Sequence, residues 1–269
     1  MSIMGSRQPK AEAMAKKLCD ETITILENKK INGKYYKLAF QSAALSKHVR
    51  PGQFLQILIN DGKDPYLRRP FSYYYVAGKR VEILYEILGR GTAILSQKNK
   101  GDTLKVMGPL GNGFTVPLGK RKRVLVAGGV GVPPLLFLAK EAPPAFLLIG
   151  TKSKLEVMPQ SELKKTRAEV FYATEDGSYG AKGLVTALLE PMIMNEDPRG
   201  LFLQTCGPKR MMETVIALAR KYGIEGEASW DETMACGVGA CLGCMVKTRD
   251  GLQRACADGP VFRFEDLVS

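Results

Sequence analysis

Four cysteines, Cys236, Cys241, Cys244 and Cys256, form a C-x4-C-x2-C run with a fourth after eleven intervening residues. That spacing is the plant-type pattern for a [2Fe–2S] cluster, in which each iron takes two thiolates. Gly237, Gly239, Ala240 and Gly243 lie between the ligands. Residues this small let a loop wrap tightly and turn its backbone N–H groups toward sulfur, which offsets the cluster's negative charge. A structural zinc site prefers paired CxxC knuckles. Only one CxxC is present here, and a Gly-rich x4 gap does not suit zinc. The compact spacing of bacterial four-iron clusters is absent. Cys19 and Cys206 stand apart; Cys19 reads as an inert side chain.

Two further groups of residues suit a dinucleotide. In Arg69-Pro-Phe-Ser72 an arginine can neutralise a pyrophosphate, and a serine hydroxyl can donate to a flavin ring nitrogen. Gly89-Arg-Gly-Thr92 precedes an apolar helical turn, where backbone N–H groups can hold phosphate. Gly128-Gly-Val-Gly131 directly follows an apolar strand, and its Gly128, Gly129 and Gly131 permit close backbone approach to a ligand, without fitting the G-x-G-x-x-G fingerprint. Cys206 ends a later strand in Thr205-Cys-Gly-Pro208, at the sheet edge where open α/β folds bind ligands and within reach of a nicotinamide. Glu175 and Asp176 can accept from ribose hydroxyls, whereas Lys152 and Lys154 suit a 2′-phosphate, so NADH and NADPH both remain open.

The elements that must position these residues fall into blocks. Residues 1–18 read as an extension, with a short helix over Ala11–Leu18. Over 19–118, short alternating strands at roughly ten-residue spacing, punctuated by Asn32-Gly33 and Asp61-Gly62, predict an antiparallel barrel. Over 119–226, compact apolar strands alternate with helices at Pro134–Ala139, Gly183–Leu189 and Pro208–Tyr222, which predicts a parallel sheet covered on both faces. Residues 227–269 form a small cysteine-rich block.

Bulk properties narrow the classes. The 269 residues are 45% hydrophobic and 25% charged, an ordinary globular balance. The charge of +12 (39 basic against 27 acidic residues) is scattered in ones and twos, as at Lys164-Lys165, which argues against nucleic acid and for a field suited to polyanionic dinucleotides or an acidic partner. No apolar run is long enough for a bilayer, and Met1–Lys17 lacks an apolar signal core, so a cytoplasmic protein without membrane insertion is expected. Acid–base machinery is sparse: His48 is the single histidine, and no nucleophile–base pair is evident.

Read in order, Arg68-Arg-Pro-Phe-Ser72, Gly89-Arg-Gly-Thr92, Gly108-Pro-Leu-Gly-Asn-Gly-Phe114, Gly128-Gly-Val-Gly-Val-Pro-Pro-Leu135, Glu175-Asp-Gly-Ser178, Cys206-Gly-Pro208, Met234-Ala-Cys-Gly-Val-Gly-Ala-Cys241 and Ala257-Asp-Gly-Pro-Val-Phe262 make a series over residues 20–265. The series resembles the electron-transfer subunits of type B dihydroorotate dehydrogenase, a branch of the ferredoxin-reductase superfamily. The resemblance implies a ferredoxin-reductase-like fold: an antiparallel flavin-binding barrel, a parallel-sheet nucleotide-binding domain and a small C-terminal [2Fe–2S] domain. It implies FAD held by Arg69, Pro70, Phe71, Ser72, Leu84, Tyr85, Glu86, Gly91 and Thr92, NAD as substrate, and a cluster on the four cysteines. Glu86 and Thr233 stand where the family usually carries arginine. It also implies a catalytic partner that holds FMN and oxidises dihydroorotate in pyrimidine (UMP) biosynthesis, in a heterotetramer of two plus two subunits. The FAD/[2Fe–2S] subunits of NAD(P)H:ferredoxin oxidoreductases and of sulfide dehydrogenase share most of these motifs, and a flavin-free iron–sulfur binding module is a further alternative.

Overall fold

The computed structural model describes residues 18–60, 64–116 and 121–268. The expected N-terminal helix, the Asp61-Gly62 turn and the expected boundary between 118 and 119 lie outside the described residues.

Six strands close an antiparallel barrel: β1 (Cys19–Lys30), β2 (Tyr35–Gln41), β3 (Phe54–Leu58), β4 (Arg69–Ala77), β5 (Arg80–Glu86) and, after helix α1 (Arg90–Ser96), β6 (Thr103–Leu110). Their order around the barrel is β1-β2-β5-β4-β3-β6. Side chains alternate across each strand, so Leu55 and Ile57 of β3 fill the interior with Ile25, Leu38, Phe40, Tyr73 and Ile83. Phe54 and Gln56 face the other way.

The second half is a seven-stranded sheet. Its elements run β7 (Lys122–Gly128), α2 (Val132–Glu141), β8 (Phe146–Thr151), α3 (Gln160–Leu163), β9 (Glu169–Thr174), β10 (Ala181–Lys182), α4 (Thr186–Met194), β11 (Leu201–Cys206), α5 (Lys209–Lys221) and β12 (Gly226–Ser229). The hairpin β13 (Met245–Thr248) and β14 (Gly251–Arg254) follows, and then β15 (Val261–Arg263). The strand order is β10-β9-β8-β7-β11-β12-β15. All neighbours are parallel except β15, which runs antiparallel to β12. The order reverses between β7 and β11, the position where open α/β sheets bind ligands beyond their carboxyl ends.

Two features differ from the sequence-based outline. The helix expected from Gly183 begins at Thr186 and runs on to Met194, past Pro191. The parallel sheet does not stop at 226. Four residues with no apolar periodicity, Gly226–Ser229, are buried as its next strand because they sit between β11 and β15.

One apolar cluster joins barrel residues Tyr35, Tyr74 and Leu84 to Val132, Leu135 and Leu136 of α2. Another joins Phe54 and Leu110 to Trp230, Met234, Cys244 and Cys256. The cysteine block thus packs against both the barrel and the sheet. Among the described residues, no helix is long and apolar enough to cross a membrane.

Candidate functional site

Barrel and sheet meet around a pocket of about 430 Å³. Its barrel wall is Tyr35, Phe54, Arg69, Pro70, Phe71, Ser72, Leu84 and Glu86, continued by Leu88–Thr92. The opposite wall comes from the sheet's carboxyl edge, with Val130 and Pro133 after β7 and Cys206 and Gly207 after β11. Ser229, Asp231, Met234 and Pro260 close the side toward the cysteine block.

The motif β4 supplies is held in place locally. Arg69 Nη1 donates to the Leu67 carbonyl at 2.6 Å. A Cβ on Gly91 would stand 3.2 Å from Arg69 Nε, so the guanidinium lies over the first turn of α1. Thr92 Oγ1 accepts from the backbone N–H groups of Leu88 (2.9 Å) and Gly89 (3.2 Å), which fixes that turn. An arginine beside a helix start makes a site for a pyrophosphate. Pro70, Phe71 and Leu84 offer an apolar surface for a planar ring, and Ser72 a hydroxyl beside it.

The pocket brings together most of the residues singled out from the sequence, but not all. Tyr85 does not line it, because alternation along β5 turns its ring into the barrel. There it packs edge-on against Phe71 and donates to Asn28 Oδ1 at 2.8 Å. Gly128, Gly129 and Gly131 also lie off the wall. Val130 and Pro133 face the pocket instead. Gly131 serves packing: a Cβ there would stand 2.0 Å from the Cys206 carbonyl oxygen. Glu86 lines the pocket as a carboxylate and pairs with Lys34 at 3.4 Å, so a cation from β2's approach stands beside it. Lys34 also binds Glu156 at 3.2 Å. Tyr35, Phe54, Ser229 and Asp231 carried no local sequence signal. Tyr35 Oη donates to the Gly129 carbonyl at 2.6 Å and ties the barrel to the β7–α2 turn.

Cys206 is buried at the pocket edge. Burial pushes its thiol up to about 12, with the Asp231 carboxylate adding to the shift. Burial thus favours its neutral form. Asp231 is itself shifted upward by desolvation and by neighbouring Glu232. His48 is exposed on a turn with φ 56°. Glu175 and Asp176 sit on the loop after β9, where Asp176 accepts from the Ser178 backbone and hydroxyl.

The four C-terminal thiols form two pairs. Cys236 and Cys241 interact side chain to side chain, and the Cys241 N–H donates to Cys236 Sγ at 3.4 Å. Cys244 and Cys256 do the same, with the Cys256 N–H on Cys244 Sγ at 3.5 Å. Gly239 N–H donates to Cys256 Sγ at 3.1 Å and links the pairs. Burial opposes ionisation of Cys236, yet the N–H groups of Cys241 and Val238 bring it down to about 6. Burial and Cys244 push Cys256 up to about 12. Among the described residues, no three Cys, His, Asp or Glu side chains converge on one point as a single ion would require. Two thiol pairs with backbone donors on their sulfurs fit a two-iron cluster better than tetrahedral zinc. Arg254 steadies the loop, with Nε and Nη2 each 2.9 Å from the Asp258 carboxylate.

A barrel and a parallel sheet around a shared pocket define a ferredoxin-reductase-type flavoprotein, here extended by a cluster-binding segment. The ferredoxin NADP+ reductase of Neisseria gonorrhoeae shares this fold with a TM-score of 0.64 at 17% identity, over 76% of this chain and 92% of that one. The structure of an NADH-dependent reduced ferredoxin-NADP oxidoreductase matches with a TM-score of 0.81 at 29% identity, covering 91% and 89% of the two chains. The family model for the iron–sulfur cluster binding domain of dihydroorotate dehydrogenase B matches residues 231–268. The dihydroorotate dehydrogenase B (NAD(+)) electron transfer subunit of Caldanaerobacter subterraneus subsp. tengcongensis is 40% identical over 248 residues, 91% of this chain and 96% of the relative. The chain belongs to the family of dihydroorotate dehydrogenase B electron transfer subunits.

Proposed function

We propose that this chain carries electrons from a separate catalytic subunit, which oxidises dihydroorotate on FMN, through a [2Fe–2S] cluster and FAD to NAD+, in cytoplasmic pyrimidine biosynthesis. A two-iron cluster passes one electron at a time, a nicotinamide takes a hydride, and a flavin bound between them supplies the conversion.

The chain's own residues have defined tasks in this reading. Arg69 neutralises the FAD pyrophosphate at the start of α1. Pro70, Phe71 and Leu84 hold the ring and exclude water, and Ser72 donates to its polar edge. Val130, Pro133 and the neutral Cys206 thiol bound the side open to a nicotinamide. Cys236 with Cys241 holds one iron, and Cys244 with Cys256 the other. Among the described residues, the pocket wall offers no histidine or lysine for proton abstraction. In this reading the C–H chemistry belongs to the partner. Two copies of each subunit make the proposed assembly.

The observation that carries the reading is the paired arrangement of four thiols beside β3, the strand whose Phe54 lines the pocket. Anaerobic purification tests it. Two irons, two sulfides and one FAD per chain are expected, with the flavin band bleached by NADH and NAD+ reduction by dihydroorotate restored on adding the FMN subunit. Zinc, or no metal, on the four thiols overturns it. The likeness to NADH-dependent ferredoxin–NADP oxidoreductase favours a second reading, with ferredoxin-linked partners. Co-purification with an FMN-bearing subunit separates the two.

A further inference from the structure

Gln56 lies on β3 and is fully buried, yet neither its Nε2 nor its Oε1 has a hydrogen-bond partner among the described residues. The other buried side-chain atom in that condition, Glu27 Oε1, still has Lys29 Nζ at 3.1 Å. Burying an amide with nothing to bond costs on the order of 1–3 kcal/mol, so an apolar residue of equal size would be preferred unless a further group completes the site. The surroundings identify that group. A Cβ on Gly237 would stand 2.7 Å from Gln56 Nε2 and 3.0 Å from its Cδ, so the amide lies against the residue next to Cys236. Gly237 has φ 72°, and this contact leaves no room for a side chain there. Gln56 does not line the flavin pocket, although Phe54, two residues earlier on the same strand face, does.

We propose that Gln56 is a positioning residue of the electron path: its side-chain amide, lying against Gly237, donates a hydrogen bond to a sulfide of the two-iron cluster and raises the cluster's reduction potential. The cysteine sulfurs leave Nε2 without a partner, so the acceptor is an inorganic sulfide of the cluster, which can only accept and therefore binds the –NH2 end. A donor on sulfur offsets the charge added on reduction and favours the reduced form. One strand face thereby serves both redox sites, through Phe54 at the pocket and Gln56 at the cluster loop, about 7 Å apart along β3. The inference rests on the two-iron reading above.

The test uses the complete subunit with FAD and cluster. In an EPR-monitored titration, Gln56→Met shifts the cluster to a lower potential, while the flavin potential followed by absorbance stays at its native value. A cluster potential equal to the native one overturns the proposal. A second measurement needs no variant: native protein carrying side-chain 15N-glutamine, reduced and observed by pulsed EPR, shows 15N coupling to the cluster. Absence of that coupling overturns the proposal even where Gln56→Met fails to retain its cluster. Absence of any reduced iron–sulfur signal sinks the two-iron reading itself, which distinguishes the two failures.

Discussion

Thiols that are to share an iron must be neighbours in space, and the loop sets Cys236 beside Cys241 and Cys244 beside Cys256, as the proposed cluster requires. Cys241 is exposed, so changing it disturbs little packing. Cys241→Ser is expected to abolish dihydroorotate-dependent NAD+ reduction in the reconstituted enzyme while leaving NADH-dependent ferricyanide reduction by the flavin largely intact. Equal loss of both rates, with FAD still bound, contradicts a cluster placed ahead of the flavin. In the proposed function Arg69 acts by charge on a pyrophosphate, and a hydrogen bond to a charged group contributes about 1.5–3 kcal/mol. Arg69→Ala should therefore weaken FAD binding about 10- to 100-fold, read as flavin lost on dialysis; full retention refutes that role. The cysteines and Arg69-Pro-Phe-Ser72 were legible because each set is contiguous or closely spaced. Tyr35, Gln56 and Asp231 were not, since each acquires its place only when distant strands meet. Strand alternation alone separates the ring of Tyr85 from Leu84 and Glu86.

The turn that follows β7 runs against the end of its parallel neighbour β11 and brings two backbones into contact. Gly131 faces the Cys206 carbonyl so closely that any Cβ must push the turn away from the end of β11. Gly131→Ala is expected to cost about 2–3 kcal/mol and to weaken NADH binding, because Val130 and Pro133 move with the turn. Thermal unfolding and NADH titration check both effects, and an unchanged melting temperature would show that the turn relaxes freely. The long barrel strands and the apolar β7, β8 and β11 were readable from alternation and apolar runs. α3 has four residues, β12 four and β15 three, too few for either period to register. Burial of β12 follows from sheet order, not from its own residues.

Barrel and sheet are joined not only by apolar contact but by polar links, of which the Glu162 carboxylate gathers the most partners. Glu162 of α3 accepts from Lys37 of β2 at 2.9 Å and from the Tyr74 hydroxyl of β4, and pairs with Lys140 of α2 at 3.5 Å. Lys140 also stands 3.7 Å above the Tyr74 ring. The two lysines respond oppositely. Lys37 goes up, because Glu162 outweighs its partial burial, whereas the more deeply buried Lys140 is driven down to about 8 by desolvation. Burial alone would raise Glu162, yet the Tyr74 and Lys37 hydrogen bonds and the Lys140 charge hold it at about 2. A carboxylate lower in the folded chain than in the unfolded one adds stability above its unfolded value of 4.5. That stability disappears as pH falls from there toward about 2. The shift corresponds to on the order of 3 kcal/mol at neutral pH. Glu162→Gln should therefore lower the unfolding free energy by about that amount at pH 7. Denaturant unfolding of both proteins from pH 7 to pH 3 measures the gap. It stays constant while Glu162 is ionised in both states and narrows below about pH 4.5, because the unfolded wild-type chain then takes up a proton at this position and the glutamine variant has none to take up. A gap unchanged down to pH 3 would show that the barrel and the sheet are held together without this charge.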